Sequence, residues 1–260
     1  MSAILITGGC GFIGSHLVRA LAESESDATI VVFDKLTYAA IPENLGALLD
    51  DPRVRLVRGD VADRAAVTST VASEDFRWVV HAAAESHVDR SIAGAEDFVR
   101  TNVLGTQTLL EAVTDAWRPA SDRAARRFLH VSTDEVFGSL GPPGAFDESS
   151  PLAPRSPYAA SKAAADHLVT AASVTHGLPT LITRSTNNYG ARQVPEKVIP
   201  VAVAAARGGE AMPLYGDGSQ VRDWIAVEDH CSARPAPSTR TPLSPRVPLM
   251  PPARPRRTTS

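Results

Sequence analysis

The run AILITGGCGFIGSH, residues 3–16, restricts the possible folds more than any other stretch. A short β-branched segment passes directly into Gly8, Gly11 and Gly14, and these open an amphipathic stretch of helix length from 12 to 24. Glycines in that setting let a backbone come close to a diphosphate, and the helix start behind them offers unpaired N–H donors to the same anion. Spacing alone is weak support. The context strengthens it, because the next apolar run, TIVVFD at 29–34, ends in Asp34, 20 residues beyond Gly14, where a carboxylate accepts hydrogen bonds from ribose hydroxyls and repels a 2′-phosphate. NAD is therefore favoured over NADP.

Further short apolar runs follow at 54–60, 78–84, 127–133 and 179–184, separated by helical patterns such as 97–115. This alternation predicts an α/β fold with a doubly wound parallel sheet. SPYAASKAAADHLVTAASVTHG is the best-marked helix, with Ser156 as N-cap, Pro157 in the first turn and Gly177 as its stop. Asp60 ends the third run and is placed to meet an adenine, although a solvated turn acid would read the same way. The small residues of HAAAES, 81–86, would let backbone pass close to a dinucleotide, as would plain tight packing.

With 260 residues, 43% hydrophobic and 21% charged, the chain suits a globular protein, and no apolar run reaches the roughly 20 residues that span a bilayer. The opening MSAILITGG lacks a basic signal-peptide region, and Cys10 and Cys231 are too few and too distant for a disulfide framework. A cytoplasmic protein is expected, with no membrane partner and no metal site. Residues 233–260 hold six arginines, eight prolines and no acid, so the net charge of −3 conceals a more acidic remainder. That tail reads as disordered, and its lack of lysines and aromatics argues against a nucleic-acid arm.

Tyr158 and Lys162 stand four apart on one face of the predicted helix. A neighbouring ammonium favours a phenolate, so Tyr158 is expected to act as a base near neutral pH, with Thr133 donating to the same substrate oxygen. HVSTDEVFG, 130–138, adds Asp134 and Glu135. Ser132 to Glu135 also spells a capping box, with Ser132 as N-cap and Glu135 three residues on. If the pair is chemical, two close carboxyls resist ionising together and one keeps a proton for general-acid work.

The chain resembles the extended short-chain dehydrogenase/reductase family and, within it, the nucleotide-sugar 4,6-dehydratases that act on dTDP-glucose. The resemblance runs from Ile4 to about Cys231 through ITGGCGFIGSH, DKLTYA, AAESHVDRSI, TNVLGTQTLLEA, VSTDEVFG, SPYAASKAAADHLV, NNYG, PEKVIP and YGDGSQVRDWIAVEDH. It implies a Rossmann domain over residues 1–185 carrying the catalytic groups, a partial nucleotide-sugar region over 186–232 and the tail over 233–260. It further implies a redox-neutral reaction: oxidation at C4 of the sugar, loss of water across C5 and C6, and return of hydride to C6 through bound NAD.

By resemblance, Thr133, Asp134, Glu135, Tyr158 and Lys162 are catalytic, with Glu135 the base at C5 and Asp134 the acid at C6. NAD contacts are implied for Gly8, Gly11, Phe12, Ile13, Gly14, Asp34, Lys35, Leu36, Thr37, Asp60, Val61, Ala82, Ala83, Ala84, Ser86, Thr101, Tyr158, Lys162 and Asn188. Substrate contacts are implied for Ser86, Thr133, Asn187, Lys197, Pro213, Leu214, Tyr215 and Arg222, and a homodimer built on two helices per subunit is implied as well. His87, beside Ser86, reads as structural. Sugar-nucleotide epimerases and decarboxylases share most of these motifs, and the Asp134/Glu135 pair argues against them.

Departures from the pattern within the match are mild: Phe137 for a usual Tyr, AAIPENL at 39–45 for a Gly-Asn turn, and Ala226 for an aromatic or His. After Cys231 the family would continue into the rest of its substrate domain. The Pro/Arg/Ser/Thr sequence found instead reads as a truncated or frame-shifted product, testable by resequencing the DNA around that codon. Weakened sugar-nucleotide binding, or an inactive NAD-binding fragment, is the expectation that goes with it.

Overall fold

The computed structural model describes residues 2–141, 144–212, 217, 218 and 220–232. Six strands form one parallel sheet: β1 (Ala3–Thr7), β2 (Thr29–Asp34), β3 (Val54–Arg58), β4 (Phe76–His81), β5 (Arg127–Thr133) and β6 (Thr180–Ser185). Their spatial order is β3-β2-β1-β4-β5-β6. The chain leaves β1 toward β2 on one side and later returns to place β4 on the other. A crevice therefore opens beyond the carboxyl ends of β1 and β4, where a doubly wound sheet binds ligands.

Both faces of this sheet are covered, which is why its strands are near-continuous apolar runs. The period-2 alternation divides them. Leu5, Val31, Phe33, Val79 and Phe128 pack toward helices α2 (Arg64–Ala72), α5 (Thr106–Trp117) and α6 (Pro157–His176), through Val67, Leu109, Val113, Trp117 and Val169. Ile4, Ile6, Val32, Val80 and Leu129 face α1 (Phe12–Ser24) through Leu17, Val18 and Leu21. Phe128 and Trp117 are almost fully buried, and truncating either to Ala would cost about 3–5 kcal/mol.

Helix α6 is bounded as its sequence predicts. Ser156 Oγ accepts from Ala159 N at 3.1 Å, Pro157 opens the first turn and Gly177 closes the helix in the left-handed region at φ 62°. The predicted helix over 97–115 is more complex. A short α3 (Val88–Ala93) and α4 (Glu96–Phe98) lead into a π-helical segment, Val99–Gly105, before α5. The wide turn buries Thr101 and Asn102; Asn102 Nδ2 donates to Ser161 Oγ at 2.9 Å and Oδ1 accepts from Glu85 N at 2.9 Å, tying the segment after β4 to α6. The runs at 54–60 and 78–84 end as strands earlier than predicted, at Arg58 and His81, because the chain turns there to line the crevice.

A two-stranded parallel sheet, β7 (Asn187–Tyr189) with β8 (Trp224–Ala226), lies beyond β6. It is accompanied by α7 (Val198–Gly208) and by α8 (Val227–Ser232), which packs on α1.

Candidate active site

The cavity in the crevice is lined by Gly8, Gly11, Phe12, Ile13, Gly14, Asp34, Lys35, Thr37, Asp60, Val61, Ala82, Ala83, Ala84, Ser86, Thr101, Tyr158, Lys162 and Lys197, together with Val131, Ser132, Glu85 and Glu196. At its β1 end the construction is mostly backbone. Gly8 has φ 71°, and a Cβ there would lie 2.6 Å from Ala83 Cα. A Cβ on Gly14 would fall 2.0 Å from Gly8 O, so the first turn of α1 can lie against the loop only without one. No side chain caps α1, which leaves its first N–H groups directed at the crevice with the positive end of the helix dipole behind them.

Asp34 is fixed at the end of β2. Its Oδ2 accepts from Cys10 N at 2.9 Å and its Oδ1 from Leu36 N at 2.8 Å. Burial pushes its carboxyl up, and these two N–H donors oppose the shift. Leu36 pays for the second bond with φ 59°, unusual for a branched side chain, and is not part of the cavity wall. Asp60 accepts from Ala62 N at 2.9 Å and pairs with Lys35 Nζ at 2.9 Å, so both residues flank one end of the cavity as a coupled pair.

The β5 end is made of side chains. The strand stops at Thr133, and Asp134–Phe137 forms a 3-10 turn, so the two acids do not alternate across a strand. The capping box is not formed as spelled. Thr133, not Ser132, caps this turn by accepting from Glu135 N at 3.3 Å, and it donates to Asp134 Oδ1 at 3.3 Å. Both acids are half-buried and both carboxyls are pushed up, chiefly by burial. Their other causes differ: on Asp134 hydrogen bonds from Thr133 and from backbone N–H groups oppose the rise and the Asp223 charge adds to it, whereas the Asp134 charge raises Glu135 and Lys197 and Arg222 oppose that rise.

Tyr158 departs from the expectation of a ready phenolate. Desolvation first, and then the charges of Glu135 and Asp134, push its hydroxyl well above the usual value, with Thr133 opposing through a hydrogen bond. Lys162 is not bonded to it. The lysine Nζ donates to Val131 O at 2.8 Å and lies 3.3 Å from His130 Nε2, and burial pulls its ammonium down to about 8. Spacing on the helix brought the two side chains to one face; it did not say which partners the ammonium would take.

Other expected contacts divide. Lys197 Nζ donates to Ser86 O at 3.2 Å, joining two of them at the rim, and Arg222 reaches Glu135 electrostatically. Asn187 is held on Asp223 O through its own N–H, at 3.3 Å. Asn188 is not brought to the cavity wall: its carboxamide is spent on Ser185 Oγ, Thr186 O and His230 Nδ1. Pro213, Leu214 and Tyr215 lie outside the described residues. His87 caps α3 by accepting from Arg90 N at 3.4 Å, a structural role. Sequence reasoning missed His130, Asp166 and Asp223. Of these only Asp166 carried a signal, standing one further turn along the Tyr158/Lys162 face of α6. Among the described residues, no group of three or more His, Cys, Asp or Glu is placed to hold a metal ion, and no helix is long and apolar enough to cross a membrane.

Residues 5–238 match the sequence profile of the GDP-mannose 4,6-dehydratase family. The low-salt glycan biosynthesis protein Agl12 of Haloferax volcanii is 55% identical over 230 residues, covering 88% of this chain and 71% of that protein. A dTDP-glucose 4,6-dehydratase of Xanthomonas campestris pv. campestris is 51% identical over 235 residues, covering 90% of this chain and 66% of the relative. The chain thus spans about two thirds of the length of such relatives. Among solved structures, DesIV, a dTDP-glucose 4,6-dehydratase from Streptomyces venezuelae with NAD and TYD bound, superposes with TM-score 0.81 at 48% identity, over 88% of this chain and 70% of that one. A UDP-glucose 4-epimerase from Thermotoga maritima superposes with TM-score 0.79 at 27% identity, over 89% and 71%.

Proposed function

The chain belongs to the GDP-mannose 4,6-dehydratase family of nucleotide-sugar enzymes, and from that premise we propose that it is built to dehydrate dTDP-glucose to dTDP-4-keto-6-deoxyglucose through bound NAD, in deoxysugar synthesis. The observation that carries the choice within the superfamily is the pair of half-buried acids, Asp134 and Glu135, set beside Tyr158 with oppositely charged neighbours.

The crevice suits NAD. Uncapped N–H groups at α1 fit a diphosphate, Asp34 is held at the end of β2 by Cys10 N of the loop, and Ala82 to Ala84 leave room for the dinucleotide to pass. When bound, NAD supplies a nicotinamide that takes a hydride and gives it back. The chain's own groups do the rest. Tyr158 removes the C4 hydroxyl proton, Thr133 orients that oxygen, and the Lys162 ammonium must turn part of its charge toward Tyr158, whose hydroxyl otherwise holds its proton. Glu135 then takes the C5 proton made acidic by the C4 ketone, while Asp134 protonates the leaving C6 hydroxyl. Lys197 and Arg222 favour the charged form of Glu135 and are suited to the substrate diphosphate.

Incubation with dTDP-glucose and mass analysis of the product tests this reading. Loss of one water is the expected result. An unchanged mass with inverted configuration would replace it with epimerisation, and no reaction would leave an NAD-binding chain without turnover. A homodimer through two helices per subunit belongs to the same proposal and is open to sedimentation analysis. So does a cytoplasmic location, supported by two free buried cysteines.

A further inference from the structure

Beneath Lys162 lies a sealed cluster that the reaction as described leaves unused. Lys162, His130, Asp166 and Arg184 are all buried, with Asp166 at 1% exposure. Asp166 Oδ2 accepts from Arg184 Nε at 2.8 Å, and its Oδ1 faces His130 Nε2 at 3.4 Å. The same Nε2 lies 3.3 Å from Lys162 Nζ. One imidazole nitrogen therefore stands between the ammonium and the carboxylate, but with Lys162 donating to it that nitrogen has no proton for Asp166; Asp166 Oδ1 and His130 Nδ1 are both buried without a hydrogen-bond partner, and Asp166 acts on the ammonium through its charge.

The charges in this space do not balance without Asp166. His130 and His81, whose rings lie 5.3 Å apart, are held neutral by burial and by the Lys162 charge. Two cations remain, Lys162 and Arg184, against one carboxylate. Arginine does not give up its proton in a protein, so any shortage of negative charge falls on the lysine. Other ionisable groups facing this region are Tyr158 on α6 and, from the turn after β5, Asp134 and Glu135; these two acids and Asp166 all raise Tyr158, and of the three only Asp166 acts on Lys162.

We propose that Asp166, with His130 between them, is a positioning residue that keeps Lys162 charged and aimed at the cavity, so that the working stripe of α6 is Tyr158, Lys162 and Asp166. The inference rests on reading Tyr158 and Lys162 as the pair that activates the substrate hydroxyl, but its test needs no turnover. An ammonium has three donors. Val131 O and His130 fix two, which leaves the third for the cavity that Lys162 lines.

The chain has only three lysines, at 35, 162 and 197, so protein carrying [13Cε]lysine gives three resonances, and Lys162→Arg assigns the buried one. Its Cε shift is followed against pH in the folded protein. Asp166→Asn is expected to lower the Lys162 midpoint by about one pH unit or more, and Arg184→Gln to raise it. Because Asp166→Asn leaves Arg184 buried and unpaired and could fail to fold, Asp166→Asn/Arg184→Gln is compared with Arg184→Gln alone; the double variant should titrate lower. An unmoved midpoint in Asp166→Asn, or equal midpoints in the second comparison, overturns the proposal. A protein that never dehydrates dTDP-glucose yet shows these shifts would refute the assigned reaction and leave this inference standing.

Discussion

At the α1 end of the cleft, what a ligand meets is backbone N–H and the space left by missing Cβ atoms; at the α6 end the cavity is walled by Val131, Ser132, Tyr158 and Lys162, and Thr133, Asp134 and Glu135 stand outside that wall at the end of β5 and on the turn that follows. The first end is rigid in kind. A loop that packs only without a Cβ has one workable arrangement, and its affinity for an anion varies little with pH. The second end holds groups whose protonation depends on what surrounds them, so its chemistry can be altered without moving the backbone. Substitutions at the two ends should therefore fail in different ways.

The largest effect is expected at the rigid end. Gly14→Ala places a methyl group 2.0 Å from Gly8 O and 2.9 Å from Gly9 Cα, so the loop or the helix must shift. NAD affinity should fall by about 100-fold or more, equivalent to roughly 2.7 kcal/mol, in a calorimetric titration. Binding within a factor of about three of the parent would show that the loop yields easily and would remove the basis for the contrast. At the other end, Tyr158→Phe keeps the ring and removes only the hydroxyl. The turnover number should drop by about 10²- to 10⁴-fold in the mass-based dehydration assay, while NAD affinity changes little.

A third substitution separates chemistry from stability. The Glu135 and Asp134 carboxyls are raised above their unfolded values, so the folded chain binds more protons than the unfolded one across that interval. Stability is then lost as pH rises through it, and at neutral pH both acids are a cost to the fold. Glu135→Gln and Asp134→Asn should block elimination and raise the melting temperature by a few degrees at pH 7, with the gain vanishing in acid below the ordinary carboxyl range. A variant that lost both activity and stability would mean that the acids hold the turn together rather than work within it.

The same contrast explains what the sequence disclosed. Gly8, Gly11, Gly14 and Asp34 were legible because their task is steric, and steric tasks fix residue types at set spacings. The doubly wound parallel sheet followed from alternation, and the bounds of α6 from Ser156, Pro157 and Gly177. The identities of Tyr158, Lys162, Asp134 and Glu135 were legible too, but not their condition. That Tyr158 keeps its proton, that Lys162 leans on Val131 and His130, and that Asn188 is spent on Ser185 and His230 all depend on residues distant in sequence. The π-helical turn at Val99–Gly105 escaped as well; it ends where Gly105 packs so closely on Val61 that a Cβ would lie 2.6 Å from the valine side chain, a contact with a residue distant in sequence.

The smallest effect asked of the comparison concerns how α6 is held. Ser156→Ala removes the acceptor for Ala159 N and should cost about 1 kcal/mol of stability in denaturant unfolding. It should cost almost nothing in turnover, because the first turn is pinned a second time: Tyr158 N donates to Ser91 Oγ at 3.1 Å, and Ser91 is fully buried on α3. The tyrosine would then keep its place while the helix end loosens around it. Ser91→Ala removes that second tether and should lower the turnover number more than Ser156→Ala does for a similar loss of stability. If instead the two substitutions reduce turnover in proportion to stability, the position of Tyr158 is set by the helix as a whole, and the α6 end is as rigid as the glycine loop.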